Sequence, residues 1–253
     1  MAETVTGLVL TFNGERLLDK CLESLAFCDK ILVVDSQSTD RTREIAEKHG
    51  AAFVVRPWEG PVPQFLFALD MIDTDWVVSL DQDEWLTDTL RAGVEKAVRG
   101  GADAGLAGFW CPRSSWYFDR FLMHSGWYPD RLFRVFRNGK MEVSASGPHY
   151  SFKPLGPTGN LTGDIRHVPY ENLAAHMDKI NYYTQEAAND LRAKGRRGGL
   201  VSALAHGAAR FAKIYLLRRG FLDGRAGLIL AIHGFVYAFH KYLRAAEPEG
   251  FRD

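Results

Sequence analysis

Cysteine is scarce in this chain: Cys21, Cys28 and Cys111 are the only three in 253 residues, and no CxxC spacing occurs. That excludes a disulfide framework and a cysteine zinc site, and makes a reducing compartment the simpler reading. The N-terminal stretch MAETVTGLVLTF has no basic leading region and already reads as a strand, so no secretory leader is expected. Long apolar runs are missing as well. The longest, Ala226 to Phe239, is broken by Gly227, His233 and Gly234 and falls short of the roughly 20 residues of a membrane-spanning helix. Neither GxGxxG nor a P-loop occurs, so no glycine nest is available for phosphates. GxSxG and HExxH are absent too, which argues against a serine hydrolase and a zincin. There is no internal repeat and no low-complexity tract.

What is present is ordinary in bulk and uneven in place. Hydrophobic residues make up 46% and charged residues 25%, which fits a soluble protein and excludes a disordered tail, a collagen-like fibre or a polytopic membrane protein. The length suits one large domain, or one domain with an appended subdomain. Net charge is zero, with 31 Lys+Arg against 31 Asp+Glu. Yet Arg192 to Arg244 carries eleven Lys/Arg and a single acid, Asp223, while residues 1–191 hold a balance of −8. A basic end on an acidic body suggests contact with something anionic, although a solvated helical face explains it equally well.

The first hundred residues alternate. Val5–Thr11, Lys30–Asp35, Ala52–Val55 and Trp76–Leu80 read as buried-type strands. Between them, Arg16–Phe27, Thr42–His49 and Pro63–Ile72 have helical spacing. Such alternation predicts a parallel sheet with crossover helices, whose ligands bind outside the carboxyl ends of the strands. Thr11, Asn13 and Glu15 follow the first strand there, Asp35 and Ser36 the second, and Asp81, Gln82, Asp83 and Glu84 the fourth. Leu106–Trp110 and Leu132–Phe136 look like further strands. From Glu171 the pattern turns helical, with apolar stripes in Leu200–Leu217 and Gly224–Leu243, and Gly195–Gly199 is the best linker candidate.

Three carboxylates directly after a buried strand repel one another unless something positive joins them. A divalent cation does so, and Mg²⁺ typically takes one or two carboxylates plus substrate phosphates. Acidic turns also cap helices, and Thr87-Asp88 could cap one starting at Thr89. Asp35 adds weight to the ligand reading, since a carboxylate there can accept from a uracil imide or a ribose hydroxyl. Asp40 fits an Asx-turn better.

The order Thr11-x-Asn13-x-Glu15, VVDSQSTDRTREIAEKHGA, RPWEG and WVVSLDQDE resembles the GT-A glycosyltransferases of family 2. A narrower resemblance, to the bacterial lipopolysaccharide-core β-1,4-glucosyltransferase group, continues nearly to the end of the chain. It runs through Gly126-Trp127-Tyr128-Pro129-Asp130, Arg134-Val135-Phe136-Arg137, His167, Lys179-x-Asn181-x-Tyr183, Arg219-Gly220-Phe221-Leu222-Asp223-Gly224 and Lys241-Tyr242-Leu243. The resemblance implies that Thr11, Glu15 and Asp35 hold a nucleoside base, Asp81 a ribose and Asp83 a metal on the diphosphate. Asn13, Ser36, Arg56, Gln64 and Gln82 belong to the same implied donor set. It also implies inversion by single displacement, with a general base near the acceptor hydroxyl. The group's usual His-Glu is His149-Tyr150 here, and Tyr is a poor base at neutral pH. Asp130 and Glu142 remain as bases beside Tyr150, with Asp130 favoured by its place in GWYPD. The group's Gln-x-Asn is Gln64-Phe65-Leu66. His167 could complete a metal site with Asp83, although a lone histidine is more often structural. Arg134 is the candidate phosphate clamp, and Trp127 the candidate sugar-stacking ring.

The expected architecture is α/β, a GT-A domain over 1–191 with a mostly parallel, Rossmann-like sheet flanked by helices. A basic amphipathic helical extension over 192–253 is expected to follow. The expected function is transfer of a hexose, glucose first, from a nucleoside diphosphate sugar, UDP-linked first, to a lipopolysaccharide-type or other cell-envelope glycan or glycolipid, with Mg²⁺ or Mn²⁺. The extension would lie on an anionic membrane at the inner face of the cytoplasmic membrane, and no nucleic-acid motif is present. The rival readings are a nucleotide-sugar binder without turnover and a sugar-phosphate nucleotidyltransferase. The latter's glycine-rich N-terminal loop is missing from Thr11–Arg16.

Overall fold

The computed structural model describes residues 3–100, 105–146 and 149–247. In chain order the elements are β1 (Val5–Thr11), α1 (Leu18–Ser24), β2 (Lys30–Asp35), α2 (Thr42–Lys48), β3 (Ala52–Val55), α3 (Pro61–Asp70), β4 (Trp76–Asp81), β5 (Glu84–Leu86) and α4 (Asp88–Arg99). Then come β6 (Gly108–Tyr117), β7 (Arg120–Phe121), β8 (Asp130–Arg137), β9 (Met141–Ser146), β10 (His149–Pro154), β11 (Thr158–Asn160) and β12 (Ile165–His167). The chain closes with α5 (Leu173–Ala193), α6 (Leu200–Ala212), a π turn (Lys213–Leu217), a 3-10 turn (Gly220–Asp223) and α7 (Gly224–Ala246).

Contacts divide the chain into two compact units, one of Met1–Ser114 with Asp130–His167, the other of Ser115–Pro129 with the chain from Val168 on. The division does not follow the boundary expected after residue 191, because α5 falls with the helical unit. The expected linker Gly195–Gly199 is a turn inside that unit: Gly199 N–H donates to the Tyr242 carbonyl at 3.1 Å.

The first unit is built on a sheet of order β3-β2-β1-β4-β8-β6-β12-β5, with β11 on β6. β3, β2, β1 and β4 run parallel, whereas β8 is antiparallel to both β4 and β6. The parallel strands read as apolar runs because helices cover both faces. Alternate residues go to opposite sides. Val9, Val33, Val78 and Leu80 join Leu18, Leu22, Leu25, Leu90 and Val94 of α1 and α4. Leu8, Leu32, Val34 and Val77 join Phe65, Ala68 and Phe136 on the α3 side. Full burial of each such side chain stabilises by roughly 1.5–3 kcal/mol. Thr87 caps α4, its Oγ1 accepting from Leu90 N–H. Ahead of α2, Asp40 accepts from Thr42 N–H at 3.0 Å.

The chain order reverses between β1 and β4, since β2 and β3 lie to one side of β1 and β4 to the other. Ligands of such sheets sit in the crevice at that reversal. Thr11, Asp35 and Asp81 are the last residues of β1, β2 and β4 and face that end.

In the second unit α7 packs against both α5 and α6. Its tightest polar feature is Asp223, 3% exposed. That carboxylate accepts from the backbone N–H of Met123 and His124 at 3.0 and 3.1 Å and from Ser125 Oγ at 2.6 Å. The tail motif GFLDG thus serves as a clamp on residues 123–125. Arg244 on α7 similarly holds the Asn181 carbonyl and Thr184 Oγ1 of α5.

Two segments, Leu200–Leu217 and Gly220–Ala246, are long and apolar enough to cross a membrane by length and composition, each with mean hydropathy 1.2. This corrects the expectation from uninterrupted runs: isolated glycines and a histidine lower local hydropathy without breaking the helix. Buried core helices pass the same test. The second segment is 39% buried, the first only 11%.

Candidate active site

A pocket of about 500 Å³ opens at the carboxyl ends of β1, β2 and β4. Its walls are Leu10, Thr11, Phe12, Ser36, Trp58, Pro61, Phe65, Asp81, Gln82 and Tyr150. The size and the mix of apolar walls with few polar groups suit a small-molecule site. Of the expected donor set, Thr11, Ser36, Asp81 and Gln82 line it directly.

Asp35 sits behind the wall at 1% exposure. Its carboxylate accepts from Thr11 Oγ1 at 2.9 Å, from Ser38 Oγ at 2.5 Å and from Ser38 N–H at 2.8 Å. It fixes the β1 and β2 ends relative to each other. Asn13 and Glu15 lie outside the lining and clip the loop after β1 to the loop after β2. Asn13 Oδ1 accepts from Thr39 N–H at 3.0 Å, and Glu15 Oε2 from Arg41 Nε at 3.4 Å. Gln64 is fully buried and donates to Ser36 Oγ and the Arg56 carbonyl, both at 3.2 Å. Arg56 itself pairs with Glu59 at 2.5 Å and stacks on Phe67. These residues support the pocket without lining it, and Leu66 faces outward.

Gln82 makes a two-point amide contact with the backbone of Phe12, accepting from its N–H at 2.8 Å and donating to its carbonyl at 3.0 Å. Gly14 permits this, since a Cβ there would approach Gln82 Oε1 to 2.7 Å. The turn after β4 is thereby locked to the loop after β1.

The acid cluster is solved in a way the sequence concealed. Arg134, on β8 and 4% exposed, lies between Asp81 at 2.7 Å and the fully buried Glu84 at 3.2 Å. Arg113, on β6, bridges Glu84 at 2.8 Å and Asp130 at 2.6 Å. The result is an alternating chain: Asp81, Arg134, Glu84, Arg113, Asp130. Register makes it possible, because Arg113 and Asp130 are direct partners across β6 and β8. Glu84 and Arg113 were not expected site residues. Glu84 was visible as the third acid of LDQDE, but Arg113 had no local signal.

This corrects two expectations. Arg134 is committed to two carboxylates and is not a free phosphate clamp. Tyr150 is not a base: its hydroxyl donates to Asp81 Oδ1 at 2.5 Å and accepts from Arg134. Burial drives its phenol well above the ordinary range. Burial also works against Asp81, but Arg134 and the Tyr150 hydroxyl outweigh it and hold that carboxyl below its usual value. Burial lifts Glu84 above the usual value against the pull of Arg134.

Asp83 stands outside that chain, and the charge of nearby Arg16 does not offset its surroundings. Burial, then the charges of Asp81 and Glu84, push its carboxyl up to about 7. His167, opposite Glu84 in the β5–β12 pair, places Nε2 3.7 Å from Asp83 Oδ2. Among the described residues no group of three or more His, Cys, Asp or Glu is arranged to hold a metal. Carboxylate and imidazole are nevertheless acceptable donors for a divalent ion whose remaining ligands come from phosphate and water, and a cation would relieve the charge crowding at Asp83. The donor set fits such a group.

Asp130 is 42% exposed, and both Arg113 contacts go to Oδ2. Glu142 lies elsewhere, exposed on β9 and in register with Lys153, outside both pocket and charge chain. The structure does not bring it to the site. Trp127 belongs to the second unit, 5.5 Å from the Tyr117 ring.

The profile of Glycosyl transferase family 2 matches residues 8–153. A lipopolysaccharide core biosynthesis glycosyltransferase of Rhizobium meliloti is 28% identical over 93% of this chain and 89% of its own length. An uncharacterized glycosyltransferase of Rickettsia conorii is 28% identical over 96% of this chain and 89% of its own. In fold, the chain is similar to a mannosyltransferase of Pyrobaculum calidifontis solved with GDP-mannose and Mn²⁺. That likeness has TM-score 0.53 and 17% identity, and covers 95% of this chain and 86% of the other. The architecture is therefore GT-A, with C-terminal helices.

Proposed function

Because the chain belongs to glycosyl transferase family 2, we propose that it moves a hexose, glucose first, from a UDP-linked donor onto a cell-envelope glycan of lipopolysaccharide type, with inversion. The observation that carries this reading is the pocket at the β1/β4 reversal, walled by Thr11, Ser36, Asp81 and Gln82, with Asp83 at its acidic turn. The acceptor class rests on the Rhizobium meliloti relative.

Asp81 offers the ribose a carboxylate that Arg134 and Tyr150 hold in place. Phe12, Trp58 and Phe65 give apolar walls for the base and exclude water from it. Asp83, with His167, would hold Mg²⁺ or Mn²⁺, which when bound supplies positive charge to the departing diphosphate. Asp130 is the base for the acceptor hydroxyl. Arg113 fixes one of its oxygens, so Oδ1 is the atom that takes the proton.

A donor panel tests this on the full chain. UDP-glucose, UDP-N-acetylglucosamine and GDP-mannose are each added with and without Mn²⁺, and melting is followed. A matching donor at a hundredfold its Kd adds about 2.7 kcal/mol of apparent stability, and only with the metal. No shift from any donor refutes the donor site. A shift with no transfer to truncated envelope glycans favours the second reading, a binder without turnover, which Tyr150 in place of an acid supports.

The helical unit is proposed to rest on an anionic membrane rather than cross it, because α7 is packed between α5 and α6 while Leu200, Val201, Leu204, Leu216 and Leu217 stand in solvent. Val201 is 81% and Leu217 78% exposed. Arg196, Arg197, Arg218 and Arg219 flank that apolar strip. Val201→Asp with Leu217→Asp is expected to reduce co-sedimentation with phosphatidylglycerol vesicles severalfold, and parental binding is expected to weaken with salt. Unchanged partition of the double variant contradicts the surface-bound reading.

A further inference from the structure

The helical unit holds a second cavity of its own, about 170 Å³, formed by residues of α5, α6, α7 and the GWYPD loop. Four aromatic rings line it: Trp127, Tyr170, Tyr183 and Tyr237. Two cations stand at it, Lys179 from α5 and Arg210 from α6. We propose that this pocket binds one anionic sugar ring, a pyranose carrying a phosphate or a carboxylate.

The two cations are positioned but not neutralised. Lys179 Nζ lies 4.9 Å over the Tyr170 ring and the Arg210 guanidinium 4.8 Å over Tyr237. Neither makes an ion pair with a carboxylate among the described residues. Cation–π contacts orient a cation without cancelling its charge, so both remain able to meet an anion.

With Lys213, Arg210 is one of two charges in the apolar segment Leu200–Leu217. It shares the stripe of Ala203, Gly207 and Ile214, the side of α6 that packs on α7, not the solvent strip of Leu200, Val201 and Leu204. Gly234 on α7 makes room for it, since a Cβ there would come within 2.4 Å of Ile214 Cδ1 and 3.5 Å of Arg210 Cγ.

His176 and His233 make one wall of the cavity polar, and Tyr117, outside the lining, bonds to both. Tyr117 Oη lies 2.7 Å from His233 Nδ1 and 3.0 Å from His176 Nδ1, and the two Nδ1 atoms are 3.0 Å apart. Two Nδ1 atoms that close share a single proton, so one imidazole carries its N–H on Nε2 and the other on Nδ1. The pair thus adds one donor and one acceptor. Aromatic faces for C–H surfaces, cations for an anion and a neutral donor–acceptor pair for hydroxyls make a sugar-like set. Drug-sized ligands need about 300 Å³ or more, so this smaller space takes a single ring.

Calorimetry on the full chain tests the proposal, with glucose 6-phosphate, glucuronate, glucose, inorganic phosphate and phosphatidylglycerol vesicles as probes. Glucose 6-phosphate or glucuronate is expected to bind saturably, at least tenfold more tightly than glucose or inorganic phosphate. Lys179→Ala with Arg210→Ala is expected to weaken that binding tenfold or more and to leave the donor-induced melting shift unchanged. Both side chains are exposed; should the pair unfold the protein by circular dichroism, Lys179→Gln alone carries the test. No binding overturns the proposal, as does equal binding of inorganic phosphate. Vesicle binding lost in the double variant, with no sugar anion bound, overturns it in favour of a lipid headgroup. The donor arm is independent: donor binding without sugar-anion binding sinks this proposal alone, and the reverse sinks only the donor site.

Discussion

Asp83→Asn is expected to leave the metal-free protein more stable at pH 8 than the parent, while abolishing metal-dependent donor binding. In the unfolded chain the Asp83 carboxyl titrates near 3.8; in the fold, burial and the charges of Asp81 and Glu84 hold it at about 7. The folded state therefore keeps a proton that the unfolded chain has already released. The stability this gives is full below about pH 4 and is lost as pH rises through 7. At pH 8 the forced ionisation costs the native state on the order of 3–4 kcal/mol. Asparagine cannot ionise and escapes that loss. Urea unfolding in EDTA at pH 4, 6 and 8 should show the variant's advantage growing across that range. An advantage independent of pH contradicts the crowded environment assigned to Asp83. The donor melting shift with Mn²⁺ should vanish in the same variant, so a functional group is kept at the expense of the fold.

Arg134→Met is expected to have the largest effect on stability. It leaves Asp81 and the fully buried Glu84 without their shared cation. Breaking a buried pair from one side typically costs about 3–5 kcal/mol. For a chain of this size that is a fall in Tm of roughly 6–20 °C. Adding Glu84→Gln and Asp81→Asn removes the stranded charges and should recover much of the loss, although donor affinity stays low because Asp81 is altered. A single variant as stable as the parent means that Arg134 is not the neutralising group.

Sequence and structure agree where the physics is local. Val5–Thr11, Lys30–Asp35 and Ala52–Val55 are strands with those same bounds, because parallel strands covered on both sides leave uninterrupted apolar runs. The acids at the strand ends were equally visible, and so was a site at the carboxyl ends of the strands, whereas its place at the β1/β4 reversal came from the strand order. The partners of those acids were not visible. Arg113 and Arg134 reach the turn after β4 only because β8 pairs antiparallel with β4, far from it in the chain, and β6 pairs with β8 in turn. A run of carboxylates therefore read as a demand for metal or as a helix cap, where the fold answers Asp81 and Glu84 with two guanidiniums and keeps Asp83 crowded. Tyr150 was misjudged for the same reason, since its donation to Asp81 spans 69 positions. Glu142 and the linker at Gly195–Gly199 failed differently: the first was chosen as a remaining acid and the second for its glycines, and the hairpin register and the α5–α6 turn carry them elsewhere.

The alternating chain from Asp81 to Asp130 also limits how this protein can diverge. A change at one position passes through an intermediate with a stranded buried ion, and neighbours in such a network couple strongly. Glu84 and Arg113 are therefore expected to persist or disappear together, as are Arg134 and Asp81. Lineages that abandon the arrangement must replace these residues as pairs, and covariation among them, rather than invariance of any one, is the mark the network leaves.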